Sequence, residues 1–208
     1  MARLLYVEAS PRKGRSHSTT VAETFVEAYL AAHPGDTVDR LDLWAEALPR
    51  FDGAMLDAKY AILHGQAPSA AEQAAWAAVE TVVARFKSAD KYLFSVPMWN
   101  FGLPYVMKHY IDIVTQPGLT FAFDPASGYS GLVNGPVTAV YASGGAYHEG
   151  SGAEAFDLQK PAFEGWLGFV GLTTIERLVV APTLAGPDDV RATVEQACTA
   201  ARALASRF

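Results

Sequence analysis

The chain has one cysteine, Cys198, so no disulfide can form within it, and small-scaffold classes stapled by bridges are excluded. It has no uninterrupted apolar run near the roughly 20 residues a membrane-spanning helix needs. Leu4-Leu5-Tyr6-Val7 is too short for the apolar heart of a secretion signal. Basic charge is scarce: 16 Lys and Arg against 22 Asp and Glu give a net charge of −6, with no polybasic tract. Wrapping of nucleic acid or adhesion to an anionic membrane is therefore not expected. The expectation is a soluble, cytoplasmic protein without a nucleic-acid or membrane partner. No metal-ligand spacing and no Ser-His-Asp or Cys-His arrangement stands out, so no catalytic side chain and no metal site is expected.

Half of the 208 residues are hydrophobic, enough for a substantial core, and no linker, repeat or low-complexity segment interrupts them. One domain over 1–208 is expected. Short apolar runs at 3–9, 37–43, 91–97, 136–143 and 174–180 read as strands. Between them lie helical stripes: Val21, Phe25, Ala28 and Ala32, closed by Pro34-Gly35; Trp76, Val79, Val83 and Phe86 behind a capping box at Ser69 and Glu72; and Val106 to Val114, with Pro104 as first helical residue. Phe163 to Val170 forms another stripe, ended by Gly171, and Pro187 opens the last. Residues 119–133 read as a small hairpin, whereas 44–68, with Gly65 and Pro68 near its end, gives no clear pattern. Strands alternating with helices predict an α/β fold: a doubly wound, five-stranded parallel sheet of order 2-1-3-4-5, with helices on both faces and a hairpin insertion.

In such a sheet, ligands sit beyond the carboxyl ends of the strands, at the switch in strand order. The loops after strands one, three and four read SPRKGRSHS (10–18), PMWNFGLP (97–104) and ASGGAYHEG (142–150). Ser10, Ser16 and Ser18 at a helix start suit a phosphate monoester, or Ser18 simply caps the helix. Neither G-x-x-x-x-G-K-[ST] nor G-x-G-x-x-G is present, so the loop is not built for a nucleoside triphosphate or a dinucleotide. Met98, Trp99 and Phe101 around Asn100 suit a flat conjugated ring, or else pack into the core or a subunit contact. Gly144-Gly145 lets backbone amides approach a ligand, or only makes a turn. A phosphate cup, an aromatic wall and an amide edge together match the three parts of FMN. The Arg12-Lys13-Gly14-Arg15 cluster lies beside the phosphate end.

These segments carry a resemblance that runs nearly end to end. S-x₅-S-x-S (Ser10, Ser16, Ser18), P-M-[WY]-N-F (Pro97 to Phe101), YVMKHYIDIV (105–114), GLTFAFDPASGYSGLV (118–133) and LGFVG (167–171) resemble the bacterial azoreductases, the FMN-dependent NADH:azo and quinone oxidoreductases of the flavodoxin-like fold. The resemblance implies a bound FMN held by Ser10, Ser16, His17 and Ser18 at its phosphate. Pro97, Met98, Trp99, Asn100 and Phe101 would run along its ring, and Ala142, Ser143, Gly144 and Gly145 along its edge. It implies NADH or NADPH as donor, hydride transfer through the flavin N5 in a ping-pong cycle, and a quinone or azo acceptor. It also implies a homodimer, with Asn100, Phe121, Phe123 and Phe169 walling the substrate pocket. Ala142-Ser143 stands where many members read Ser-Arg, so backbone contacts there are expected to persist while side-chain contacts differ. The alternative reading is a flavodoxin-type electron carrier with no small-molecule substrate of its own. The modest charge and the hairpin speak against it.

Overall fold

The computed structural model of the chain describes residues 1–64, 66, 67 and 69–208, and the backbone but not the side chain of Leu63. In chain order the elements are β1 (Arg3–Glu8), α1 (His17–Ala32), β2 (Thr37–Asp42), α2 (Gly53–Leu63), α3 (Ala70–Lys87), β3 (Lys91–Pro97) and α4 (Tyr105–Val114). They continue with β4 (Phe121–Asp124), β5 (Gly128–Gly131), β6 (Val137–Ala142), α5 (Gln159–Val170), β7 (Ile175–Val180) and α6 (Pro187–Ala205). Single turns of 3₁₀ helix cover Lys13–Arg15 and Glu154–Phe156. Among the described residues, no helix is long and apolar enough to cross a membrane.

The main sheet runs β2-β1-β3-β6-β7, parallel throughout. This is the expected order, with β6 and β7 as the fourth and fifth strands. Alternation of side chains along each strand divides the core in two. Tyr92, Phe94 and Val96 of β3 pack with Phe86 of α3, with Met107 and Tyr110 of α4, and with Phe163 and Trp166 of α5. On the other face, Leu4, Tyr6 and Leu93 pack with Phe25 and Tyr29 of α1 and Ala201 of α6. Truncating one of these rings, such as Phe25, to alanine costs about 3–5 kcal/mol, because the rigid sheet cannot collapse into the hole.

The local signals behave as their chemistry demands. Ser69 Oγ accepts from the Glu72 N–H at 3.3 Å and Glu72 Oε2 accepts from the Ser69 N–H at 2.6 Å, completing the capping box. Gly171 ends α5 in the left-handed region, at φ 107°. Pro187 is the first residue of α6. Two details differ from expectation. Pro104 sits just outside α4, because its ψ of 142° is extended and its carbonyl begins the helix instead. The stretch 44–68 contains a helix, α2, capped by Asp52, whose carboxylate accepts from the Met55 N–H at 3.4 Å. Gly65 and Pro68 lie outside the described residues.

The antiparallel pair β4 and β5 forms the expected hairpin. It docks on the end of α5 by a backbone contact so close that a Cβ on Gly131 would lie 2.2 Å from the Gly171 nitrogen. The Val133 N–H donates to the Val170 carbonyl beside it.

Candidate active site

All three loops leave the same edge of the sheet, and they converge on a cavity of about 220 Å³. Ser10, Ser16 and His17 line it from the first loop, Pro97, Met98 and Trp99 from the second, and Ala142, Ser143 and Gly144 from the third. Arg12 adds a cation. Thr183 and Leu184 add a fourth segment, from the loop after β7, which the sequence reading passed over.

The first loop is a cup of hydroxyls and amide donors. Ser16, not Ser18, is the α1 cap: its Oγ accepts from the Thr19 N–H at 3.3 Å, and its carbonyl takes the Thr20 N–H. Among the described residues, that leaves the His17 and Ser18 N–H groups at the helix start without a partner, an arrangement suited to an anion. Ser18 is fully buried behind Ser16, with the two hydroxyl oxygens 3.2 Å apart. Lys13 is turned to other duty, ion-paired with Asp42 and with Glu8 at 3.5 Å. Burial pushes the Glu8 carboxyl above its usual pKa, although Lys13 pulls the other way. Burial, reinforced by nearby Arg12, lowers the pKa of His17, so positive charge in the cup comes from Arg12 and the helix terminus.

The second loop is a tight hairpin turn. Trp99 and Gly102 exchange N–H···O bonds of 3.0 and 2.9 Å, and the two residues between them, Asn100 and Phe101, stand at φ 47° and 68°. Positive φ at both central positions is the twist a two-residue turn needs, but a bulky residue such as Phe seldom adopts it, and strain of this kind gathers at functional sites. Asn100 and Phe101 flank the cavity rather than line it. The Phe101 ring lies 5.2 Å from that of Phe156, centroid to centroid. Trp99 is backed by Trp44, at 5.7 Å, and by Tyr105, at 6.3 Å. The Trp44 Nε1–H donates to the Ala9 carbonyl at 3.0 Å, so one indole links the end of β1, just before the first loop, to Trp99 of the second. Trp44 lies in the stretch without clear pattern, and a lone tryptophan after β2 carries no sequence signal of this role.

The third loop is tied to the second by the Met98 N–H donating to the Ala142 carbonyl at 2.7 Å. The Ser143 hydroxyl donates to the Gly145 carbonyl at 2.8 Å. It therefore braces its own loop. Among the described residues, the N–H groups of Gly144 and Gly145 have no partner. Gly145 itself stands just outside the cavity lining.

Phe121, Phe123 and Phe169 do not line this cavity. They form a separate cluster with Tyr129, in which Phe121 and Phe169 lie 4.8 Å apart and Phe123 and Tyr129 4.9 Å. Phe123 is 60% exposed and Tyr129 65%.

Taken together, the cavity offers hydroxyl, amide and guanidinium donors at one end, a flat apolar wall of Met98 and Trp99, and free amide donors at a third side. These parts fit a phosphate monoester joined to a planar ring with acceptor atoms on its rim.

A family model described as flavodoxin-like fold matches residues 2–205. An FMN-dependent NADH:quinone oxidoreductase of Desulfotalea psychrophila is 50% identical over 88% of this chain and 87% of that protein. Another protein of that name, from Nitratidesulfovibrio vulgaris, is 50% identical over the whole of both chains. The crystal structure of an azoreductase from Bacillus anthracis superposes with a TM-score of 0.92, at 30% identity and over the full length of both.

Proposed function

Since the chain belongs to the flavodoxin-like family of FMN-dependent NADH:quinone oxidoreductases, we propose that it is an enzyme that reduces quinones and azo compounds with electrons from a reduced nicotinamide. The observation that carries the reading is the convergence of three chemically complementary loops on one cavity at the switch in strand order. Bound there, FMN supplies a two-electron relay between nicotinamide and acceptor, chemistry that side chains lack.

The residues supply grip and orientation. Ser10 and Ser16 offer hydroxyls, and His17 and Ser18 offer N–H groups, to the phosphate, with Arg12 balancing its charge. Pro97, Met98 and Trp99 face the ring, Asn100 supplies an amide at its flank, and Phe101 fixes the turn. In the loop 142–145, the free Gly144 and Gly145 N–H groups would donate to the rim of the ring. The Trp44 and Tyr105 rings pack against Trp99 and hold it in place.

We also assign a cytoplasmic homodimer. The exposed rings of Phe123, Tyr129 and Phe169, packed on a half-buried Phe121 outside their own chain's cavity, form the kind of patch a partner covers. In a dimer with its sites at the interface, Phe121, Phe123 and Phe169 would help wall the acceptor pocket.

The test is direct. Protein loaded with FMN is yellow, and NADH or NADPH alone should bleach it within seconds; a quinone or azo dye should then restore the colour. Yellow protein that neither nicotinamide bleaches would instead be an electron carrier, and protein that takes up no FMN would end the reading.

A further inference from the structure

Every carbonyl from Ala142 to Gly145 is already taken. Ala142 accepts from Met98, and Gly145 accepts from the Ser143 hydroxyl. Ser143 accepts from both the Thr183 N–H, at 3.0 Å, and the Thr183 Oγ1, at 3.1 Å. Gly144 accepts from the Thr183 N–H, shared at 3.1 Å, and from the Leu184 N–H at 3.1 Å. The Ser143 N–H is used as well, on the Val180 carbonyl. Among the described residues, the backbone groups of this loop left with no bond at all are two donors, the N–H groups of Gly144 and Gly145.

A trans peptide is a rigid plane whose C=O and N–H point opposite ways. Pinning the Ser143 carbonyl therefore sets the direction of the Gly144 N–H, and pinning the Gly144 carbonyl sets that of Gly145. We infer that the loop after β7 is a clamp that leaves the Gly144 and Gly145 N–H groups as the unbonded backbone groups of 142–145, with Thr183 as its positioning residue, so that this side of the cavity favours the acceptor rim of an electron-rich ring. Identification of that ring as the flavin rests on the function proposed above; the clamp itself does not. Fixed N–H donors stabilise whichever ligand state carries more negative charge on the atoms they face, so the clamp favours the reduced form.

The test compares Thr183→Val, which keeps shape and backbone N–H but deletes the hydroxyl, with Thr183→Ser, which keeps the hydroxyl. Thr183→Ala replaces the valine variant if that one does not fold. Thr193→Val, which deletes a remote exposed hydroxyl on α6, is the control. Loss of one such bond should weaken FMN binding about three- to tenfold, read by flavin fluorescence. It should also move the midpoint potential of the bound flavin to more negative values, and Thr183→Ser should restore both. In the apoprotein, amide exchange should be slow at Thr183 and Leu184 and fast at Gly144 and Gly145. Wild-type affinity and potential in Thr183→Val would overturn the inference. So would a serine variant as weak as the valine one, which would assign the effect to the methyl group. Unprotected Thr183 and Leu184 amides would overturn it independently of FMN. Wild-type protein that binds no FMN would instead overturn the proposed function, with the exchange pattern still deciding the clamp.

Discussion

Asn100 separates stability from function at a single position. Its φ of 47° suits asparagine and glycine and strains alanine. Asn100→Ala should therefore lose about 1 kcal/mol of stability by melting, whereas Asn100→Gly should melt no lower than wild type. Both remove the amide at the flank of the ring wall, so both should slow NADH-dependent bleaching. Bleaching at the wild-type rate in Asn100→Gly would take the side chain out of the site. Serines 10, 16 and 18 and the PMWNF stretch were legible in sequence because polar donors and exposed rings are odd company for a loop. The division of labour between Ser16 and Ser18 was not, since either can cap a helix and only the backbone angles decide. Trp44 and Thr183 were illegible for a related reason: each acts through hydrogen bonds to carbonyls distant in sequence, which leave no local pattern.

At the scale of elements, the period-two and period-3.6 patterns sufficed for the parallel strands and most helices, because these elements bury a whole face. Helix α2 escaped because it buries little: Met55 and Ala58 reach a small side cluster, while Leu56, Tyr60 and Ile62 stay exposed. The hairpin of β4 and β5 was visible in its turn residues, but its seat on α5 was not, because that seat is glycine against glycine. A methyl group at Gly131 meets backbone atoms of Val170 and Gly171, which cannot step aside as a flexible side chain can. Gly131→Ala should cost about 1–3 kcal/mol, lowering the melting midpoint by roughly 2–4 °C for each. Protease should then cut within 118–133 faster than in wild type. Unchanged melting and cleavage would mean that the hairpin can shift without loss.

Across the whole molecule, the polar work sits at one end of the sheet, and a second aromatic cluster, with Phe123 and Tyr129 exposed, sits outside that cavity on the hairpin and α5. That separation makes a pairwise assembly the economical way to bring them together. Wild type should elute at twice the chain mass, and Phe123→Glu combined with Tyr129→Glu should elute as a monomer that still binds FMN yet turns over acceptor poorly. A wild-type monomer with full turnover would remove the dimer from the scheme. The sheet interior would be indifferent to this change, since β1, β3 and β6 are buried along nearly their whole length. The indole of Trp44, meanwhile, bonds to Ala9, the residue before Ser10, and packs on Trp99 of the ring-bearing segment. A stiff bicycle in that position holds constant the distance between the end of β1 and the Trp99 ring, so Trp44→Ala should loosen both at once, read as a lower melting midpoint.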